Sequence, residues 1–383
     1  MIDTTDFVDG IKNAGIEFIT GVPDSLLKEI CAHITQDFPP TQHIIATNEG
    51  SAVGLAMGHF LGSGKPAVVY MQNSGLGNAL NPLVSLVDPK VYAIPMLLLI
   101  GWRAELDDDL TQMGDEPQHK KQGLITLDLL KILEIPFHII SSRTKDIKLV
   151  ISNAMRSSIE RSGPVALVVR KDTFKRFESL KISKEKELLT RELAIMKVLD
   201  YLPNDASIVS TTGMISRELY EIRKENEQLL SNIFLTVGGM GHANQISAGI
   251  ALSNASKKVV CLDGDGAILM HTGALSISAD CDNLLHIVLN NGVHDSVGGQ
   301  PTKGQELNFV QIAEVMGYKN FELIVDLDDF ESRFKPVIEK RGSSFVEIRC
   351  KPGSRKNLSR PKNDLLKRKE NFMKFIGRTS SAL

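Results

Sequence analysis

Short apolar runs rich in β-branched residues alternate with helix-length amphipathic segments along the whole chain. This rhythm predicts strands and helices in alternation, which is the pattern of a doubly wound parallel sheet. Six candidate strands fall in the first half of the chain, at 18–20, 44–47, 68–71, 96–100, 137–139 and 165–169. Six more fall in the second half, at 208–210, 233–237, 259–262, 286–289, 323–325 and 345–348. The pattern therefore indicates an α/β protein built on two parallel sheets.

Between the two groups of strands, segment 171–191 (KDTFKRFESLKISKEKELLTR) is charged and contains no strand-like apolar run. Such a composition is typical of a linker between domains. We therefore predict one domain at 1–180 and another at 190–383, with the boundary near residue 185. A chain of 383 residues is long enough for two such cores. The halves share a rhythm without a residue-by-residue repeat, which favours two similar folds with different roles.

The formal net charge of -2 gives the chain no general attraction for nucleic acid or for an anionic membrane. Recognition of phosphate or carboxylate groups must then be local. The longest apolar stretch, 94–102, is too short to span a bilayer and suits a buried strand. The four cysteines form no CxxC pair and the chain begins with polar residues, so we expect reduced thiols and a cytoplasmic protein.

The C-terminal segment 351–383 is strongly basic, with ten Lys or Arg residues against two acidic ones. Its local charge is therefore about +8. We expect a solvated terminal helix with an apolar stripe at Phe372, Phe375 and Ile376. A role in steering anions is the alternative interpretation.

The clearest chemical signal is VVCLDGDGAILM, in which an apolar strand leads through a glycine-rich turn into a helix. Gly264 and Gly266 would let the backbone approach a phosphate, and the free N–H groups of a helix start favour an anion. Asp265 between them offers a carboxylate. The next strand ends in Asn290 and Asn291, whose amide oxygens are ligands that Mg²⁺ accepts. Alone, the glycine-rich turn is equally an ordinary connection between a strand and a helix.

The two signals together, with 24 residues between Gly266 and Asn291, resemble the magnesium–diphosphate motif of thiamine-diphosphate-dependent enzymes. The resemblance implies a pyrimidine-binding first domain, a diphosphate-binding second domain, and thiamine diphosphate with Mg²⁺ as cofactors. The implied metal ligands are Asp265, Asn291 and the backbone carbonyl of Val293, with Asn290 outside the metal shell. The implied diphosphate contacts are Gly264, Gly266 and Ala267.

Other loops fit the same resemblance. Members of the family place a bulky apolar residue beneath the cofactor, and Met240 in GGMGHANQISAGIAL has that place, although a Met filling a core gap is common. The remaining cofactor-binding candidates are Gly238 in the same loop, Thr212 and Gly213 in STTG, and Asn73 and Ser74 in QNSGLGNALNPL.

The catalytic candidate in the first half is Glu49, which follows a strand and opens a helix of small residues in HIIATNEGSAVGLAMG. The resemblance implies that Glu49 shares a proton with a ring nitrogen of the cofactor. An acidic residue in a first helical turn is also favoured by the helix dipole alone. In the family, this domain of one subunit completes a site with the diphosphate domain of another. We therefore expect a homodimer or larger homo-oligomer with shared active sites.

The stretches GVPDSLL, DEPQH and NNGVHDSVGGQPT narrow the resemblance to the branch that decarboxylates 3-phosphonopyruvate to phosphonoacetaldehyde, with sulfopyruvate decarboxylases close to it. Asp24 resembles the acid that handles protons in related decarboxylases, although Pro-Asp is also an ordinary turn. His119 follows the acidic segment 107–116, which we expect to close over substrate; the alternative is a histidine on a solvated surface loop. Candidates for binding the anionic end of the substrate are Ser25, Lys120, Lys121, His294 and Ser296.

Two further classes of function stay open at this point. A carboligating thiamine-diphosphate transferase would use the same cofactor on a second aldehyde. A nucleotide-binding regulatory module could bind the diphosphate of a nucleotide with the same glycine-rich turns. Glu49 argues against the regulatory module, because a binder would not need that carboxylate.

Overall fold

The structure is a computed structural model that describes residues 1–178, 188–225, 230–361 and 364–377. The chain divides into two compact units, Met1–Ile182 and Ser183–Leu383, each built on its own sheet. The boundary that the sequence places near residue 185 lies outside the described residues.

Unit 1 is a six-stranded sheet with the strand order β2-β1-β3-β4-β6-β5, in which every pairing is parallel. The chain order reverses between β1 and β3, and ligands of open α/β sheets bind beyond the carboxyl ends of strands at such a reversal. The elements are α1 (Thr4–Asn13), β1 (Phe18–Gly21), α2 (Lys28–Asp37), β2 (His43–Ile45), α3 (Glu49–Ser63), β3 (Ala67–Gln72), α4 (Leu76–Ser85), β4 (Met96–Gly101), α5 (Pro117–Ile132), β5 (Phe137–Ile140), α6 (Ile147–Arg161) and β6 (Pro164–Val169).

Unit 2 has the strand order β12-β13-β11-β10-β8-β9, again parallel throughout, with β7 beside β13. Here the chain order reverses between β8 and β10. The elements are β7 (Leu189–Thr190), α7 (Arg191–Tyr201), β8 (Ser207–Ser210), α8 (Met214–Glu225), β9 (Ile233–Leu235), α9 (Ala243–Ser253), β10 (Val259–Gly264), α10 (Asp265–Met270), α11 (Leu275–Ser278), β11 (Leu284–Asn290), α12 (Phe309–Val315), β12 (Asn320–Ile324), α13 (Lys335–Glu339), β13 (Ser344–Lys351) and α14 (Leu365–Phe375).

Helices cover both faces of each sheet. In unit 1, Ile11 of α1 packs on one face and Ala52 of α3 on the other, and both are fully buried. The central strands β4 (MLLLIG) and β11 (LLHIVLN) are buried along their whole length, as parallel strands covered on two faces require. The α/β fold with two doubly wound parallel sheets is therefore confirmed.

A seventh strand in unit 2 corrects the sequence interpretation of segment 171–191. Leu189 in β7 pairs with Cys350 in β13, and Phe174 is buried beside Ile2 in unit 1. Both ends of the expected linker therefore belong to the folded units, while its middle lies outside the described residues. A strand of two residues is too short to produce a periodic pattern, so the hydrophobic pattern does not predict it.

The C-terminal segment also packs more closely than expected. Phe372 of α14 is 4% exposed, and its ring centroid lies 5.5 Å from that of Phe234. One aromatic residue of the expected apolar stripe thus docks the helix onto unit 2. In the parts of the chain that the structure describes, no helix is both long enough and apolar enough to cross a bilayer.

Candidate active site

The glycine-rich turn between β10 and α10 carries the acidic centre of unit 2. Asp265 opens α10 and is 2% exposed. Burial raises the pKa of Asp265 to about 6, although a hydrogen bond from the Thr302 hydroxyl to its Oδ2 opposes that shift. The loop after β11 therefore contacts Asp265 directly, because β10 and β11 are parallel neighbours whose carboxyl ends share one edge.

The two adjacent asparagines have different surroundings. Asn290 is fully buried and donates hydrogen bonds of 2.8 Å to Oε1 of Glu347 and to the carbonyl of Gly304. Asn291 donates through Nδ2 to Asp295, while its Oδ1 accepts the N–H of Val293 at 3.2 Å. The Asn290 amide is thus occupied within the core, whereas the Asn291 amide is held by residues of the loop that follows β11.

The oxygen atoms at this edge suit a hard cation. They comprise the carboxylate of Asp265, the amide oxygen of Asn291 and the backbone carbonyl of Val293, and Mg²⁺ takes oxygen ligands of these kinds. Glycines keep space around them: a Cβ atom on Gly304 would lie only 2.6 Å from Oδ2 of Asp265. The donor set and the room beside it therefore fit a magnesium-bound diphosphate.

The residues expected to contact cofactor in unit 2 come together at the same edge. A Cβ atom on Gly266 would lie 2.8 Å from Cε1 of His294 and 3.4 Å from Cε of Met240. A Cβ atom on Gly213 would lie 3.4 Å from Oγ of Ser296. The loops after β8, β9, β10 and β11 therefore meet here, at the reversal of strand order.

Two contacts fix the loop that carries Met240. Thr212 accepts a hydrogen bond of 3.2 Å from the N–H of Gly238, which ties this loop to the one after β8. Gly241 has a φ of +87°, and a Cβ atom there would lie 2.8 Å from Cδ2 of His271. The half-buried Met240 side chain is thus held next to the glycine-rich turn.

His294 lies against that turn as a neutral donor. Burial lowers the pKa of His294 to about 4, so the ring is uncharged at neutral pH. A neutral imidazole offers one N–H to an anion rather than a positive charge.

Glu49 in unit 1 occupies the first position of α3, after Asn48 caps the helix by accepting the N–H of Ser51 at 2.9 Å. Its side chain is 6% exposed, and Asn78 donates to Oε2 at 2.7 Å. A Cβ atom on Gly75 would lie 2.6 Å from Oε1. The carboxylate is therefore held over the turn between β3 and α4.

Asp24 follows β1 and is fully buried. Burial raises the pKa of Asp24 to about 6, although the N–H of Leu26 donates to Oδ2 at 3.0 Å. Its Oδ1 has no hydrogen-bond partner among the described residues. An acid with such a pKa and an unengaged oxygen can hold and release a proton near neutral pH.

Arg103 links the other candidates of unit 1 and was missed in the sequence. Its Nη1 donates to Oγ of Ser25 at 3.1 Å, and its Nε and Nη2 bind Asp115 at 2.8 Å and 2.5 Å. Asn73 accepts the N–H of Arg103 at 3.2 Å and donates to its carbonyl at 3.1 Å. Arg103 directly follows a buried central strand and Trp102, and that position is the signal that could have identified it.

The remaining candidates in unit 1 lie on α5 or after β3. His119 is in the first turn of α5 and only 8% exposed, with Nε2 3.7 Å from Oε2 of Glu116, so the alternative of a solvated surface histidine is wrong. Lys120 and Lys121 are exposed on the same helix. Ser74 accepts a hydrogen bond of 2.5 Å from Gln72. Closure of segment 107–116 stays a prediction.

Comparison with protein families finds two matches that cover most of both units. Residues 4–128 match the family described as thiamine pyrophosphate enzyme, N-terminal TPP binding domain. Residues 209–348 match the family described as thiamine pyrophosphate enzyme, C-terminal TPP binding domain.

Curated relatives match almost the whole chain. A phosphonopyruvate decarboxylase of Streptomyces viridochromogenes is 33% identical over 94% of this chain and 92% of its own. A sulfopyruvate decarboxylase of Methanosarcina acetivorans is 27% identical over 91% of both chains. A sulfopyruvate decarboxylase subunit alpha of Methanococcus maripaludis is 36% identical over 42% of this chain and 89% of its own.

Proposed function

The chain belongs to the thiamine pyrophosphate enzyme family, and on this basis we propose that it decarboxylates 3-phosphonopyruvate to phosphonoacetaldehyde and carbon dioxide. The observation that carries the proposal is the hydrogen bond from the Thr302 hydroxyl to Oδ2 of Asp265, which connects the glycine-rich turn to the loop that carries Asn291 at one sheet edge. The similarity to a phosphonopyruvate decarboxylase supports the choice of substrate.

Thiamine pyrophosphate is another name for thiamine diphosphate. We assign the diphosphate end of this cofactor to unit 2. Asp265, Asn291 and the carbonyl of Val293 would hold Mg²⁺. The backbone at Gly264, Gly266 and Ala267 would face the diphosphate, because the N–H groups in the first turn of a helix favour an anion. Thr212, Gly213 and Gly238 would add contacts from the neighbouring loops. Asn73 and Ser74 of unit 1 are proposed to contact the other end of the cofactor.

The reacting end needs an apolar support and a proton carrier. Met240 would provide the support, since it lies against Gly266. Glu49 would share a proton with a ring nitrogen of the cofactor, and its buried position supports that role. Bound thiamine diphosphate supplies the electron-accepting group that a 2-oxo acid needs to lose carbon dioxide.

Protons must also be managed at the substrate. Loss of carbon dioxide breaks a carbon–carbon bond, and the carbon left behind takes up one proton to become the aldehyde. We assign that proton to Oδ1 of Asp24, because it is buried and has no partner among the described residues. His119 is the second candidate for a proton-transfer role in unit 1.

Binding of the phosphonate group of the substrate requires hydrogen-bond donors and positive charge. Ser25 with the adjacent Arg103 guanidinium offers both in unit 1, and Lys121 is a further candidate. In unit 2, the neutral ring of His294 and the hydroxyl of Ser296 offer donors beside the glycine-rich turn.

We also propose a homodimer or larger homo-oligomer in which two copies of the chain complete each active site. The surface of α3 and α4 supports this, because apolar residues on it are exposed in the single chain. They are Leu55 at 40%, Leu61 at 66%, Leu80 at 38% and Val84 at 39%. Gly54, Gly58 and Gly62 leave open space along α3, so that another helix could approach closely.

The test offers the holoenzyme 3-phosphonopyruvate and sulfopyruvate separately and measures the release of each aldehyde. We expect a higher kcat/KM for phosphonopyruvate. A preference for sulfopyruvate would identify the chain as a sulfopyruvate decarboxylase. Both substrates need this direct comparison, because a phosphonate and a sulfonate each present three oxygens. Formation of an acyloin after acceptor aldehydes are added would indicate a carboligating transferase instead.

A further inference from the structure

The amide of Asn291 meets a carboxylate on one side. Its Nδ2 donates to Oδ2 of Asp295 over 2.6 Å. An ionised carboxylate only accepts hydrogen bonds, so it selects the NH₂ end of an amide and rejects the oxygen end. The orientation of the Asn291 amide is therefore set by Asp295.

Asp295 is itself held from two other segments. Nη1 of Arg191 donates to its Oδ2 at 2.6 Å, and the N–H of Gly353 lies 3.1 Å from Oδ1 and 3.2 Å from Oδ2. Arg191 in turn makes a two-pronged ion pair with Glu218, at 2.7 Å and 2.9 Å. Arg191 is 4% exposed and Glu218 1% exposed. The start of α7, helix α8 and the loop after β13 thus fix one carboxylate of the loop that follows β11.

We infer that Asp295, held by Arg191, is a positioning residue that orients the Asn291 amide so that its oxygen serves a cation. This inference rests on the proposed magnesium site. Oδ1 of Asn291 accepts the N–H of Val293 with one lone pair, which leaves the other for a metal ion. Glu218 neutralises Arg191, so the cluster keeps one negative charge at Asp295, and that charge favours a nearby cation.

Residues that orient metal ligands in this way commonly contribute about 10- to 100-fold to metal affinity. Asp295→Asn retains the shape of the side chain but adds an NH₂ group that can oppose the amide of Asn291. It also leaves the Arg191–Glu218 pair intact. We therefore expect the metal affinity to fall by about 10- to 100-fold in this variant.

The experiment measures Mn²⁺ binding to the full chain by electron paramagnetic resonance, with and without saturating thiamine diphosphate. Asp329→Asn is the matched control, because Asp329 is a similarly buried carboxylate in unit 2 that binds the N–H of Val325 and Arg333. We expect the wild type and the control to bind Mn²⁺ within twofold of each other and Asp295→Asn to bind far more weakly. Equal affinity in all three would overturn the inference. Failure of the wild type to bind Mn²⁺ with the cofactor would instead overturn the proposed function.

A swapped variant keeps the test decisive if Asp295→Asn does not fold. Asn291→Asp combined with Asp295→Asn places a symmetrical carboxylate at the metal and a donor behind it, so no orientation is needed. We expect Mn²⁺ affinity within about tenfold of the wild type, and above that of Asp295→Asn where that variant folds. If the double variant bound Mn²⁺ at least about 100-fold more weakly than the wild type, Asp295 would not act by orienting the Asn291 amide.

Discussion

Nδ2 of Asn78 in α4 donates a hydrogen bond to Oε2 of Glu49 at the start of α3, over 2.7 Å. This contact joins two helices on one face of the first sheet through the catalytic candidate itself. It leaves Oε1 beside Gly75, where a side chain would collide with it. Glu49 is therefore held in one place by its neighbours rather than left to explore solvent.

Glu49→Gln should remove catalysis while the cofactor still binds. Glutamine matches the shape of glutamate but cannot take up or release the proton, and proton transfer of this kind contributes about 10²- to 10⁴-fold to rates. We expect kcat to fall by that factor and the Kd for thiamine diphosphate to change little, as measured by calorimetry. Glu134→Gln, at an exposed position of unit 1, is the control and should be fully active. Full activity of Glu49→Gln would refute the role of Glu49.

Asp265→Ala should weaken the magnesium-dependent binding of thiamine diphosphate. The variant removes the one charged side chain among the proposed metal ligands, so the affinity for thiamine diphosphate at a fixed Mg²⁺ concentration should drop by at least about tenfold. Calorimetric titration at several Mg²⁺ concentrations measures this. Asp205→Ala, at an exposed position of unit 2, serves as the control. An unchanged affinity in Asp265→Ala would contradict the metal assignment.

Asp24→Asn should stabilise the chain above pH 6 while it impairs turnover. Burial raises the pKa of Asp24 to about 6, above the ordinary value of 3.8, so the folded state loses stability as pH rises through that window. The full loss, reached above pH 6, is on the order of 3 kcal/mol. Thermal unfolding at pH 4 and pH 8 should show a gain for the variant at pH 8 alone. A variant less stable than the wild type at pH 8 would show that ionised Asp24 carries no such penalty.

Glu49→Gln and Asp265→Ala should restore activity to each other when they share an oligomer, at a thiamine diphosphate concentration that fills the wild-type site but not the site of Asp265→Ala. If Glu49 of one copy and Asp265 of another serve the same site, a mixed dimer of Glu49→Gln and Asp265→Ala contains one intact site. Random pairing after co-expression then predicts about a quarter of wild-type activity. Activity no higher than that of either variant alone would argue for sites built within a single copy.

The sequence predicts the central strands well because they are apolar and covered on both faces. Strands β4 and β11 show this most clearly, since every residue in them is buried. The diphosphate motif is also predictable, because each part is local: a glycine-rich turn ends one strand and two asparagines end the next. Parallel pairing then brings both parts to one edge without further information.

Long-range polar contacts are beyond such reasoning. Arg191 and Asp295 are 104 residues apart in the sequence. Arg191 ends the segment interpreted as a linker, and Asp295 lies in the loop after β11. No local pattern pairs the two residues, and only the folded sheet brings them into contact. Strand β7 is not predicted for a related reason. Its two residues pair only with the last two residues of β13, far away in the sequence.

The proposed reaction is tested most directly by asking whether product release depends on the cofactor. Chain stripped of cofactor and metal is mixed with 3-phosphonopyruvate, and carbon dioxide and phosphonoacetaldehyde are quantified after thiamine diphosphate, Mg²⁺, both or neither are added. We expect equal amounts of the two products with both additions and none without thiamine diphosphate. No release of either product from a chain shown to be saturated with cofactor, or release that does not need the cofactor, would contradict it.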